Sequence, residues 1–212
     1  MSKQIKSRDR VTKHGEVFTS EREVNSMLDL VYNETQNIES RFLEPACGDG
    51  NFLIKILERK LSVVERKYKK SQSDFEKWSF IAISSLYGID LLEDNIIDCR
   101  NRLYNNFKDA YERLYKKKIK YDVLHAIKYV LDHNILIGDA LTMKVDDDNY
   151  IVFPEWSFVK GNSIRRRDYI YKELIREKNS KEIISVENQT AFIPKPIKEY
   201  PLISYLKVVE YE

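Results

Sequence analysis

The stretch "FLEPACGDGNFL", residues 42–53, holds the residues best suited to chemistry. An apolar run turns at Pro45 into a short loop with Gly48 and Gly50, then resumes as an apolar helix pattern near Asn51. Two glycines within three residues let backbone approach a ligand closely, and the helix that follows presents unpaired N–H groups to it. A phosphate is the usual occupant of such a turn, but the carboxylates of Glu44 and Asp49 would repel a dianion and suit a cation. Two further apolar runs end in acid: "LYGID" at Asp90 and "HNILIGDAL" at Gly138-Asp139.

The elements that must position these groups alternate. Ser20 as N-cap with Glu23 three residues on predicts a capping box, and Val24, Met27, Leu28 and Val31 extend a helix over 20–33. Strands are expected near 42–44, 86–90 and 134–138. Between them lie helix patterns at 51–70, at 74–86 (Phe75, Trp78, Ile81, Ser85), at 92–115 and at 121–132. Tyr104, Phe107, Tyr111 and Leu114 recur at helical spacing and read as packing. Strands alternating with helices predict an α/β fold with a three-layer, mostly parallel sheet. In such sheets ligands sit beyond the carboxyl ends of the strands, where Asp49, Asp90 and Asp139 all fall.

An acidic residue ending the second strand is placed to accept from ribose hydroxyls, and one ending the third to accept from an adenine amino group, so the ligand reads as an adenosine. The dinucleotide fingerprint fails. Leu53 stands where a third glycine belongs, and Asp90 lies 90 − 48 = 42 positions beyond Gly48, against about 20 in that motif. A nicotinamide cofactor is therefore the weaker reading. S-adenosyl-L-methionine fits better, having an adenosine, a sulfonium and an ammonium but no phosphate.

With these residues assembled, the chain resembles the gamma-type DNA adenine (N6) methyltransferases of restriction-modification systems. "HGEVFTS" at 14–20 is similar to their first cofactor motif, "FLEPACGDGNFL" to the glycine loop, "LYGIDLLEDN" to the ribose-binding strand and "ILIGDAL" to the adenine-binding strand. The resemblance implies a Rossmann-like methyltransferase fold, here smaller than the family's full sheet. It implies S-adenosylmethionine as cofactor and DNA as partner. It places Phe18 and Thr19 along the adenine and methionine ends of the cofactor, Glu44 and Asp49 at its methionine part, Asp90 at the ribose and Asp139 at the adenine. Ala46, Gly48, Gly50, Leu91 and Ala140 complete those motifs. Ser20 stands where the family has proline.

The family's catalytic tetrapeptide, [N/D/S]-P-P-[Y/F/W], which orients the target amine and stacks on a flipped base, has no counterpart: the chain contains no Pro-Pro. "FPEW" and "VKGNSIRRRDY" leave Asn162, Trp156 and Phe158 as substitutes. The resemblance thus leaves two functions: a methyltransferase or methyltransferase-like component with a divergent catalytic segment, and a cofactor-binding, catalytically silent module acting through a partner chain. A cofactor domain over 1–160 is expected, followed by an extension over 161–212, with a partner or second copy completing the sheet or the active site.

Composition sets bounds. The 212 residues carry 36 Lys and Arg against 34 Asp and Glu, a net charge of +2, so nucleic-acid binding must come from local clusters. Arg165, Arg166 and Arg167 and "KKKIK" at 116–120 both read first as solvated faces; the arginines, beside Trp156, Tyr169 and Tyr171, are the run that could instead track a phosphate backbone. Two cysteines, Cys47 and Cys99, lack the spacing of a disulfide framework or zinc site and suggest a reducing, cytoplasmic setting. Cys47 reads as a packing residue, and His14, His125 and His133 are too scattered for a metal site. No apolar run is long enough to span a bilayer.

Overall fold

A computed structural model of the chain describes residues 6–14, 17, 19–175 and 194–211. It divides into two compact units, Met1–Ile137 and Gly138–Glu212. The expected boundary at 160/161 instead falls in the turn of a β-hairpin of the second unit.

In the first unit, α1 (Arg8–His14) and α2 (Glu21–Asp29) precede α3 (Tyr32–Gln36). Ser20 caps α2 as expected: its hydroxyl accepts from the Glu23 N–H, and Glu23 returns a carboxylate to the Ser20 N–H at 3.1 Å. A proline at this position would lack that N–H. The helix pattern expected over 20–33 is broken at 30–31. There the Leu30 and Val31 amides turn back three residues, to Met27 and Leu28, before α3 starts anew.

The core is a three-stranded parallel sheet in the order β1 (Phe42–Glu44), β2 (Leu86–Asp90), β3 (Ile135–Ile137), close to the expected strand positions. Leu86, Tyr87, Gly88 and Ile89 are all buried, so β2 is covered on both faces, the burial typical of a parallel sheet flanked by helices. The crossovers are double. α4 (Asn51–Tyr68) and α5 (Gln72–Ser84) join β1 to β2; α6 (Glu93–Tyr115) and α7 (Tyr121–Asn134) join β2 to β3. On α5 the core face is Phe75, Ser79, Phe80, Ala82 and Ile83, while Trp78 turns to stack on Tyr68 at 5.1 Å. Phe107 and Tyr111 are buried and stack with Phe75, whereas Tyr104 and Leu114 are only half-buried.

Two buried polar groups pin these helices to the sheet. Lys60 of α4 is fully buried, and its Nζ donates to the carbonyls of Ile38 and Ser40 and to the Ser85 hydroxyl at 3.2, 2.5 and 2.5 Å. Asn134 donates to the carbonyls of Ser84 and Leu86, where α5 hands over to β2.

The second unit departs from the expected mostly parallel sheet. Its described strands form an antiparallel sheet: β4 (Val152–Lys160) and β5 (Ser163–Ile170) pair along their length, and β6 (Lys198–Glu199) and β7 (Ile203–Ser204) each pair with β5. Gly161 and Asn162 are the two-residue loop between Lys160 and Ser163, with Gly161 at φ 59°. This is the hairpin signature of a short Gly-Asn loop between alternating runs.

Candidate functional site

The glycine loop sits at the carboxyl end of β1. Cys47 N–H bonds the Ile89 carbonyl at 2.8 Å, so the loop folds back over β2. Gly48 and Gly50 take positive φ, 53° and 93°, which side-chain-bearing residues rarely adopt. Gly50 is also the N-cap of α4. A Cβ on it would come within 2.7 Å of Cys99 Sγ in α6.

Asp90, at the end of β2, binds the loop to the next helix. Its Oδ2 accepts from the Gly48 N–H at 2.9 Å, and its Oδ1 accepts from the Leu92 N–H at 2.9 Å and the Asn95 amide at 3.1 Å. A carboxylate offers about four acceptor positions, so three are used and one is left. Asn95 is itself buried, and its Oδ1 accepts from Lys6 at 2.9 Å and Arg10 at 3.1 Å. The hydrogen bond from Arg10, helped by Lys6, holds the neighbouring Asp94 carboxyl down to about 2. Sequence reasoning missed Asn95, Lys6 and Arg10; Asn95 bonds back to Asp90 from one turn into α6, a link with no motif of its own.

Glu44 is half-buried at the end of β1, accepts weakly from the Ala46 N–H at 3.3 Å, and has its carboxyl raised by burial. Asp49 pairs through Oδ2 with Arg102 at 2.7 Å, while its buried Oδ1 has no hydrogen-bond partner. Thr19 lies alongside: its carbonyl accepts from Asn51 at 3.4 Å. Thr19, Glu44, Asp49, Gly48, Gly50 and Asp90 are thus linked around one loop. Ala46 and Leu91 are exposed at its borders. Phe18 lies outside the described residues.

The third glycine of the dinucleotide motif lets helix and strand pack closely. Here Leu53 is buried at that position and Gly88 of β2 makes the room instead: a Cβ on Gly88 would meet Leu53 and Cys47 at 3.0 Å. The long interval from Gly48 to Asp90 is taken up by the additional helix α5. Cys47 is buried, as a packing residue should be, and its hydrogen bond to Cys99 together with burial pushes its thiol up.

Asp139 opens the second unit and caps its own turn. Its Oδ1 accepts from the Leu141 N–H at 2.8 Å and its carbonyl from Met143 at 2.7 Å, with Ala140 half-exposed between them. That backbone hydrogen bond lowers the Asp139 carboxyl.

The candidate catalytic residues fall on the hairpin. Asn162 is exposed in its loop, where its carbonyl accepts from Tyr205 at 2.9 Å. Trp156 is buried against Arg166, and Phe158 packs on Tyr205. The arginine run alternates with the strand. Arg166 points to the buried face, paired bidentately with Asp168 at 2.7 and 2.9 Å and stacked over Tyr200 at 4.6 Å, so its guanidinium is engaged in an internal ion pair. Arg165 and Arg167 lie on the opposite, half-exposed face, where Arg167 lies 3.7 Å from Glu155 and 3.6 Å from Glu199.

No helix among the described residues is long and apolar enough to cross a membrane. No family model matches the chain, and no curated protein or solved structure matches it.

Proposed function

We propose that the first unit is a Rossmann-like S-adenosylmethionine-binding module of the DNA adenine methyltransferase type, belonging with a restriction-modification system. The observation that carries the reading is the Gly48–Asp90 link. It holds a loop with two left-handed glycines against the acidic end of β2, with Glu44 and the unpartnered Asp49 Oδ1 beside it. An acid-lined glycine cradle suits a cationic adenosyl ligand and disfavours a diphosphate. In this reading Asp90 accepts one ribose hydroxyl at its remaining acceptor position and Glu44 faces the ammonium. S-adenosylmethionine would supply an electrophilic methyl group on sulfur. The chain's own residues would hold and orient the ligand and exclude a phosphate-bearing competitor.

For the reaction itself the silent-module reading is favoured. Of the substitutes for the missing tetrapeptide, Trp156 is buried against Arg166 and Asn162 is part of a tight turn. A chain without the amine acceptor and the stacking ring gives up much of the positioning contribution to methyl transfer. We therefore assign cofactor binding to this chain and methylation to its assembly with a partner. Calorimetric titration with S-adenosylmethionine and with NAD tests the first part. Saturable binding of S-adenosylmethionine alone is expected, and preference for NAD would overturn the reading. Asp139→Ala in the same titration tests the adenine role that the resemblance gives Asp139. Radiolabelled methyl transfer to adenine-containing DNA by the isolated chain tests the second part; multiple turnover lost in Asn162→Ala would overturn it.

A further inference from the structure

Two basic runs far apart in the chain are brought together at the pole of the first unit opposite the glycine loop. α4 starts at that loop and runs 18 residues, and α6 starts just beyond Asp90 and runs 23. At 1.5 Å per residue their ends lie about 25–35 Å from the carboxylates. The two ends are tied to each other. Arg113 pairs bidentately with Glu65 at 3.0 and 2.7 Å, the Tyr115 hydroxyl donates to the Lys69 carbonyl at 3.1 Å, and Gln72 donates to the Lys118 carbonyl at 2.7 Å. A buried network holds the turn beneath: Glu76 accepts from Tyr111, Gln72 and Lys120.

On this base Arg66, Lys67, Lys69 and Lys70 of the α4 end stand next to the Lys116–Lys118 turn, all exposed and, among the described residues, in no ion pair. Cations at helix C-termini are ordinary complements to the helix dipole, and one or two per helix suffice for that. Seven on two joined ends, in a chain whose net charge is only +2, is a segregated positive field.

We infer that this pole binds the phosphate backbone of duplex nucleic acid, independently of the cofactor site. The choice of partner rests on what the patch lacks. Among the described residues, α4, α5 and the 98–120 span expose no large apolar side chain and Tyr121, just beyond, is a single exposed ring, so the patch has no apolar face with which to enter a lipid interface. Six exposed lysines and one exposed arginine contact phosphates chiefly as charges, so the patch adds affinity more than sequence recognition.

The test is fluorescence anisotropy of the full chain with a labelled duplex at several salt concentrations, without cofactor. The slope of log affinity against log salt is expected to be steep. Lys116→Gln/Lys117→Gln/Lys118→Gln should reduce it by about 2–3 and weaken binding roughly tenfold or more at low salt. Lys67→Gln/Lys69→Gln/Lys70→Gln, on the other helix end, should do the same, with unchanged circular dichroism for both. Duplex affinity and slope equal to wild type in both triple variants would overturn the inference. So would patch-dependent capture by phosphatidylserine vesicles in preference to the duplex.

Discussion

Gly48 and Asp90 are joined by a 2.9 Å hydrogen bond from the Gly48 N–H to Asp90 Oδ2, which closes the glycine loop of β1 onto the end of β2. The same carboxylate caps the approach to α6 through Leu92 and Asn95. One side chain therefore ties together the glycine loop, the end of β2 and the start of α6.

Asp90→Asn is the informative substitution, because an amide keeps the shape but has one acceptor oxygen. Either Gly48 or the Leu92–Asn95 pair then loses its acceptor. A stability loss of about 1–3 kcal/mol is expected in chemical denaturation, along with weaker S-adenosylmethionine binding by calorimetry. Affinity equal to wild type would remove Asp90 from the proposed cofactor site.

Gly50→Ala should be worse than a surface glycine substitution. It combines φ of 93° with a Cβ 2.7 Å from Cys99 Sγ. A cost of about 2–4 kcal/mol follows from left-handed strain and overpacking together. Adding Cys99→Ala should recover the steric part and leave the strain. A double-mutant cycle showing no coupling would mean that helix and loop do not touch here.

Lys60 makes a pH-dependent prediction. Burial pushes its ammonium down to about 7, with the Glu34 carboxylate acting the other way. In the unfolded chain lysine titrates near 10.5. Between those values the unfolded state binds more protons, so stability relative to Lys60→Met should rise as pH climbs from 7 toward 10.5 and be flat below 7. A difference independent of pH would show that its three acceptors keep the ammonium charged across that range.

The arginine run separates by face. Arg166→Ala should strand Asp168 in a buried site and cost about 3–5 kcal/mol, read as a lower melting temperature. Arg165→Ala, on the half-exposed face, should fall within about 0.5 kcal/mol of wild type. Equal effects would contradict the alternation of β5.

What the sequence makes legible divides by range along the chain. The glycine loop, the three parallel strands and the Ser20–Glu23 cap are local signals: periodicity, two glycines, an N-cap three residues before an acid. Each is encoded by neighbours in the chain, and each stands where the pattern puts it. The run at 165–167 looks like one cluster by charge alone, but strand alternation places Arg166 on Asp168 and its neighbours on the other face. "SFVKGNSIRR" carries a hairpin signal, Gly-Asn between alternating runs, and the chain turns there. Asn95, Lys6 and Arg10 were invisible because Lys6 and Arg10 reach Asn95 from more than eighty residues away. The 42-residue interval from Gly48 to Asp90 has a plain structural source, since the added helix α5 lengthens the chain between β1 and β2 while the two strands stay adjacent.

The double crossovers bear on how the chain reaches this state. Phe42 must find Leu86, and Gly88 must find Ile135, across two whole helices each, whereas Lys160 finds Ser163 across Gly161 and Asn162 alone. Closing long loops before any pairing is gained is slow, and a two-residue hairpin forms in about 1–10 μs. The β4–β5 hairpin should therefore acquire amide protection well before β1 and β2 in pulse-labelled refolding. The Gly48–Asp90 contact, which needs β1 and β2 already in register, would then be among the last to form. The glycine loop in its closed form is in that sense a product of completed folding, and any binding there, as proposed above, would have to wait until the central strand is in place.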